Sequence, residues 1–121
     1  MTGEEEELAE VQPDLEIPLV PEFLHYTDEK GWRGIDSSGV IRSRQKRVYA
    51  TMERLNPQTV ELALFAGNPA YSGRGQFVII FTVREGIIFH PGTQPNELDH
   101  FGSLRNGRHI DIVYSGTNHF A

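Results

Sequence analysis

Apolar and polar positions along the chain fall into short, sharply bounded runs. Phe23 to Tyr26 is apolar and aromatic and reads as a strand. Thr27 and Asp28 then offer cap oxygens to a short helix over residues 28–37 that carries Trp32 and Ile35 on one face, with Gly39 as its stop signal. The polar, basic stretch Arg42-Ser43-Arg44-Gln45-Lys46-Arg47 reads as a loop feeding a second strand, Val48-Tyr49-Ala50-Thr51. The clearest helix follows: Asn56 is its cap, Pro57 takes the first helical position, Val60, Ala63 and Leu64 recur at helical spacing, and Gly67 closes it.

Residues 68–76 form a glycine-containing loop, in which Ser72-Gly73-Arg74-Gly75 reads as flexible chain rather than a phosphate cradle. Phe77 to Val83 is nearly continuous in apolar character, which predicts a strand covered on both faces. A turn at Arg84-Glu85-Gly86 leads to an expected neighbouring strand at Ile87-Ile88-Phe89, and His109 to Tyr114 alternates enough to be a late strand. Residues 96–104 fit neither template. The sum is an α+β domain with two short helices and no internal repeat.

At 121 residues the chain is one domain, too short for separate cofactor and substrate domains, so any active site lies in a cleft of a single fold. The net charge of -6 misleads until it is divided. Residues 1–21 hold Glu4, Glu5, Glu6, Glu7, Glu10, Asp14 and Glu16 and no Lys or Arg, so the remainder is close to neutral and slightly basic. Self-repelling glutamates and Pro13, Pro18 and Pro21 make 1–21 an acidic linker or arm, with Leu15, Ile17, Leu19 and Val20 available to dock on a domain at 22–121. A junction with a larger polypeptide would fit there.

The absence of Cys excludes disulfides, thiolate metal sites and Cys nucleophiles. No apolar run reaches the roughly 18 to 20 residues of a membrane span, and no basic, apolar leader follows Met1. His25, His90, His100, His109 and His119 match no zinc spacing, so no metal is expected. No nucleophile-elbow pattern surrounds any Ser.

Ordered short motifs carry the functional signal. His25-Tyr26-Thr27-Asp28, Gly31 with Gly34-Ile35, Tyr49 with Thr51, Leu64-Phe65 and Ser115-Gly116 occur in a sequence that resembles the ADP-ribosyltransferases of the diphtheria-toxin-like His-Tyr-Glu class, and within it the bacterial polymorphic-toxin subclass with a His-Tyr-Asp signature. The resemblance runs over residues 23–116 and rests on order and spacing. It implies a small split β-sheet core with NAD as substrate. His25 would bind the adenosine-side ribose, Tyr49 would stack on nicotinamide, Tyr26, Thr27 and Thr51 would lie beside them, and Arg42 or Arg44 would meet the pyrophosphate. It further implies a toxin or effector, secreted or delivered into a target cell and acting in its cytoplasm. Its partners would be a macromolecular acceptor, protein or RNA, and a cognate immunity protein, with no membrane partner.

Transfer of ADP-ribose passes through an oxocarbenium-like transition state, so a carboxylate must stand near the developing positive charge. Three acids compete. Glu97 stands at a possible strand start, as in the His-Tyr-Glu class; Asp99 shares its face if the segment is extended, and Leu98-Asp99 resembles the His-Tyr-Asp pattern; Asp111 belongs to a strand whose alternation turns it to solvent. Transfer to water would make the protein an NAD glycohydrolase. Without an acid it would be a non-catalytic dinucleotide- or protein-binding relative. A tRNA 2'-phosphotransferase type is disfavoured because its arginine array has no clear counterpart in the sequence. Each residue also has an ordinary reading: His25 as a satisfied structural histidine, Tyr49 as a core aromatic and the Arg42, Arg44, Lys46, Arg47 cluster as a solvated loop, whose functional alternative is to hold the pyrophosphate or an RNA target.

Overall fold

The computed structural model describes residues 20–121. Of the residues assigned to the acidic arm, 1–19 lie outside the described residues, and Val20, one of the apolar residues available for docking, is exposed. The architecture is α+β, with two helices and three small antiparallel sheets.

The first strand, β1 (Phe23–Thr27), leads into α1 (Glu29–Ser38). Asp28 caps that helix, its side chain accepting from the Gly31 N–H, and Gly39 ends it in a left-handed conformation at φ 73°. Two short strands follow, β2 (Val40–Ile41) and β3 (Arg47–Ala50), then α2 (Pro57–Phe65), capped by Asn56 with Pro57 at its start. The left-handed stop of α2 falls first on Ala66 at φ 53° and continues at Gly67, so the helix closes one residue earlier than the glycine alone indicates. A 3-10 turn at Pro69–Tyr71 precedes β4 (Phe77–Val83). The remaining strands are β5 (His90–Pro91), β6 (Leu98–Phe101), β7 (Leu104–Arg105) and β8 (Ile110–Thr117).

The central sheet has the order β1-β4-β8, the second β3-β6-β5, and β2 pairs with β7 alone. As its unbroken apolar run predicts, β4 is buried on both sides over Val78, Ile79, Ile80 and Phe81. One core gathers Ile35 of α1 with Ile41, Val48, Ala50, Ile79, Phe81, Leu104 and Ile110; a second gathers Leu24, Tyr26, Val60, Val78 and Ile80 beneath α2. Trp32 seals α1 to the sheet by stacking on Phe77, ring centroids 5.0 Å apart, and its Nε1–H donates to Ser115 Oγ at 2.8 Å.

Two expectations, the strand at residues 87–89 and the loose chain at 72–75, are corrected. Ile87 to Phe89 is not a strand: Ile87 and Phe89 leave the Arg84–Ile87 turn as irregular chain and pack on the first core, and pairing begins only at His90. The unassigned stretch 96–104 resolves into β6 and the start of β7, whose pairing partners lie far away in sequence at β3 and β2. Ser72 to Gly75 is also more than loose chain. The Gly73 N–H donates to Glu61 Oε2 at 2.9 Å, and Gly75 presses so closely on Pro57 and Val60 that a Cβ would stand 2.5 Å from the Pro57 carbonyl.

Candidate active site

The site begins where two strands separate. Leu24 and Thr51 exchange both backbone hydrogen bonds, at 2.7 and 2.9 Å, and this is the single bridge between β1 and β3. Beyond it the strands part, and the His25 ring spans the gap by donating from Nδ1 to the Tyr49 carbonyl oxygen at 2.7 Å. A carbonyl only accepts, so the proton of the neutral ring sits on Nδ1 and Nε2 is left as an acceptor. Burial holds the imidazole below its ordinary pKa, with the positive charges of Arg74 and Arg44 acting in the same direction, against the raising effect of the Tyr49 carbonyl.

A cleft opens from this gap. One cavity of about 450 Å³ is walled by His25, Thr27, Lys30, Gly31, Arg42 and Arg44 among others; a second of about 480 Å³ is walled by Leu64, Tyr71, Thr93, Gln94 and Glu97 among others. Tyr49, Phe65, Arg44, Arg47 and Arg74 line both, so the two are halves of one cleft with Tyr49 and Phe65 in the middle. Gly31 permits the first half to close: a Cβ there would collide with Thr27 Oγ1, so only glycine lets the first turn of α1 lie over Thr27.

Strand register assembles the acids. Tyr49 lies directly opposite Asp99 and Arg47 opposite Phe101 across β3 and β6, while His90 of β5 faces Asp99 from the other side. Alternation therefore sets Arg47, Tyr49, Asp99, Phe101 and His90 on one face, with Val48 and Ala50 turned to the core. Glu97, two residues before Asp99, joins that face. The acids are buried, 5% and 3% exposed, deep enough that their partners decide their state. Glu97 Oε1 accepts from the Gln94 N–H at 3.1 Å, Arg47 lies 3.5 Å from Asp99 Oδ2, and Glu97 Oε2, Asp99 Oδ1 and Arg47 Nε have no protein partner. Burial and the adjacent Glu97 carboxyl push Asp99 up to about 6 despite Arg47. The Arg47 guanidinium also stands 5.2 Å from the centre of the Tyr49 ring.

The candidate residues sort clearly. His25, Tyr26, Thr27, Arg42, Arg44 and Tyr49 all border the first cavity, and Glu97 borders the second beside Tyr49. Asp99 borders neither and lies behind Glu97 and Arg47. Asp111 is elsewhere, exposed and held by both Arg84 nitrogens at 2.8 and 3.0 Å. Thr51 does not reach the cleft: it is fully buried and its Oγ1 accepts from the Glu53 N–H at 3.2 Å. Tyr26 presents ring to the cleft, but its hydroxyl donates to the Glu53 carbonyl at 2.7 Å and accepts from the Leu55 N–H at 2.8 Å, which pins the loop before α2.

Sequence reasoning missed Arg74, which enters both cavities from the loop read as flexible. It is oriented by Asp28, 3.4 Å away, and by the Tyr71 ring, 5.2 Å from its centre. No local pattern marks it; its placement follows from the contacts of Gly73 and Gly75 with α2. Asn118 was also missed: its buried side-chain amide donates to the Leu55 and Gly75 carbonyls at 2.9 and 2.8 Å, tying together two loops that support the cleft.

No family model, curated protein or solved structure matches the chain. Function therefore rests on the cleft. Among the described residues no three His, Asp or Glu side chains gather to hold a metal ion, and no helix is long and apolar enough to cross a membrane.

Proposed function

We propose that this protein is an NAD-dependent ADP-ribosyltransferase built on a split-sheet core of that family, with Glu97 as the acid at the reacting ribose. One observation carries the reading: a single cleft has Tyr49 at its middle, His25 at one end and Glu97 at the other. That is the order in which a dinucleotide needs a ribose acceptor, an aromatic face and a carboxylate.

In this reading the free Nε2 of His25 accepts from a ribose hydroxyl, and Arg42, Arg44 and Arg74 face the pyrophosphate. Tyr49 and Phe65 flank the nicotinamide ring. The bond between nicotinamide N1 and ribose C1' breaks with its electron pair leaving on nicotinamide, and the Glu97 carboxylate favours the positive charge left on the sugar. A lone pair of the acceptor closes on C1', and the acceptor's proton passes to a carboxylate. Asp99, behind Glu97, is a positioning residue that shares charge with it.

The resemblance to polymorphic-toxin domains supplies the biological setting, an effector delivered into a target cell and countered by an immunity protein. Incubation of the full chain with NAD and a bacterial lysate tests the reading. Nicotinamide release with label on a macromolecule is expected; release without label would make the protein a glycohydrolase. Absence of release together with absence of NAD binding by calorimetry would defeat it.

A further inference from the structure

The cleft face does not end at Tyr49. Following β3 and β6 away from Glu97, the next residues on that face are Arg47 and, opposite it, Phe101. Phe101 is 62% exposed, unusual for a phenylalanine inside a paired strand, and its ring lies 5.4 Å from that of exposed His90.

The chain stretches that meet at this ring are rich in cations. Residues 37–52 contain Arg42, Arg44, Lys46 and Arg47 and no acid; residues 100–110 contain Arg105 and Arg108 and no acid. The fold joins these two stretches. Arg105 pairs with Val40, a wall residue of the first cavity; the Ser43 N–H donates to Ser103 Oγ at 2.9 Å; the Gly102 N–H donates to the Lys46 carbonyl at 3.1 Å. Six of the chain's eleven Lys and Arg thus lie in two adjoining stretches; Arg42, Arg44 and Arg47 line the cleft, and all of the six but Arg47 are exposed. The two carboxylates on that sheet face, Asp99 and Glu97, are buried. The near-neutral average of the domain conceals this segregation.

We infer that the exposed Phe101 and His90 rings, with Lys46, Arg105 and Arg108, bind single-stranded nucleic acid as the acceptor of the transferase. An aromatic ring set among cations serves a strand whose bases are unstacked and whose phosphates are one repeat apart. A duplex offers that ring no free base face, and an acidic peptide satisfies the cations but gives Phe101 no π-partner. The bound strand lies on the same sheet face as Tyr49 and Glu97 and meets the cleft past Arg47, which lines both of its halves.

The inference rests on the transferase reading for the word acceptor, so binding and transfer are measured apart. Fluorescence anisotropy with a labelled single-stranded RNA 12-mer, its DNA counterpart and a duplex of the same sequence, using the full chain without NAD, tests the surface. Preference for a single strand over the duplex is expected, with log Kd linear in log salt. The double variant R105A/R108A should lower the slope by about 1.4, at about 0.7 per lost phosphate contact on a single strand. F101A should weaken binding about tenfold at constant slope. Neither variant should alter nicotinamide release in the absence of acceptor. Equal binding of duplex and single strand, or binding indifferent to both variants, would overturn the surface whatever the fate of NAD. Label appearing on protein in a nuclease-treated lysate at undiminished yield would overturn the acceptor class while leaving the transferase reading intact.

Discussion

His25 and Tyr49 are joined by one hydrogen bond, from the imidazole Nδ1 to the Tyr49 carbonyl oxygen at 2.7 Å, at the point where β1 and β3 part. The bond fixes the histidine tautomer and at the same time holds the strand that carries Tyr49, the ring proposed to stack on nicotinamide. Its two roles separate by substitution. His25→Ala loses the strap and the ribose acceptor together, whereas His25→Asn can still donate to the Tyr49 carbonyl but offers nothing at the Nε2 position. Asn should therefore recover most of the thermal stability lost in Ala, while both weaken NAD binding by about five- to tenfold, the worth of roughly one hydrogen bond. Calorimetry and thermal melts on the two variants decide it; full recovery of affinity in His25→Asn would remove the ribose role.

The same histidine gives a pH prediction. Its folded pKa is lowered, chiefly by burial, so the stability it contributes is present in full above the unfolded value of 6.5 and is lost as pH falls through the lower folded value. The neutral form of the His25 ring should predominate down to pH 6.5 and give way only below it. Imidazole nitrogen shifts followed by NMR report each ring separately. A His25 that titrates at or above 6.5 would contradict the neutral acceptor.

Gly92 makes room for Glu97. A Cβ at Gly92 would stand 2.5 Å from the Glu97 carboxyl carbon and Oε2, and the Gly92 N–H already donates to the Glu97 carbonyl at 2.8 Å. Gly92→Ala should thus displace the carboxylate without removing it. Nicotinamide release is expected to fall by about 10²-fold, since a shift of about 1 Å in a reacting group costs that much, with little change in KM because the His25 half of the cleft is untouched. A loss expressed wholly in KM would place Glu97 in substrate binding instead.

The sequence made the local features plain and the distant ones obscure. Asp28, Gly39, Asn56 and Pro57 announce both helices because capping is decided within three or four residues. β4 is plain because a strand buried on both faces needs an unbroken apolar run. The two- to four-residue strands β2, β5, β6 and β7 have no period long enough to recognise, and β2, β6 and β7 are held by partners many residues away. The site divides in the same way. His25 and Tyr49 stand out as a motif, and the shared face of Glu97 and Asp99 follows from their spacing. That Glu97 borders the cleft while Asp99 lies behind it, that Thr51 is turned away, and that Arg74 is turned in are tertiary facts without a local signal.

The hairpin that aims two cleft arginines is strained. Arg44 and Arg47 exchange backbone hydrogen bonds at 2.8 and 3.1 Å around Gln45 and Lys46, both left-handed at φ 52° and 71°. Such a turn favours Asn-Gly, and a non-glycine residue there costs about 1 kcal/mol. Gln45→Asn with Lys46→Gly should stabilise the protein by about 0.5 to 1 kcal/mol in urea unfolding, with nicotinamide release unchanged because Arg44 and Arg47 keep their places. Destabilisation would mean that the Gln45 and Lys46 side chains make contacts that outweigh the strain.

Asp99 sets the acid side of the pH response. Its folded pKa is raised from 3.8 to about 6, first by burial and then by Glu97, with Arg47 opposing and His90 and Tyr49 flanking it across the sheet. A raised carboxyl pKa contributes stability that is fully present below 3.8 and is lost as pH rises through about 6, so above pH 7 the ionised group is a net penalty. Asp99→Asn removes the charge and keeps the shape. It should therefore stabilise the protein by about 1 to 3 kcal/mol at pH 7.5, the scale of a two-unit shift, and change it little at pH 4. If the Arg47 contact were worth more than the desolvation it offsets, the sign at pH 7.5 would reverse, so urea titrations of both proteins at the two pH values test which dominates. Catalysis supplies a second readout. Asp99 protonates below about 6, so whatever part of the acid limb for nicotinamide release it causes should vanish in Asp99→Asn while maximal turnover survives; loss of turnover at every pH would promote Asp99 from positioning residue to the reacting acid.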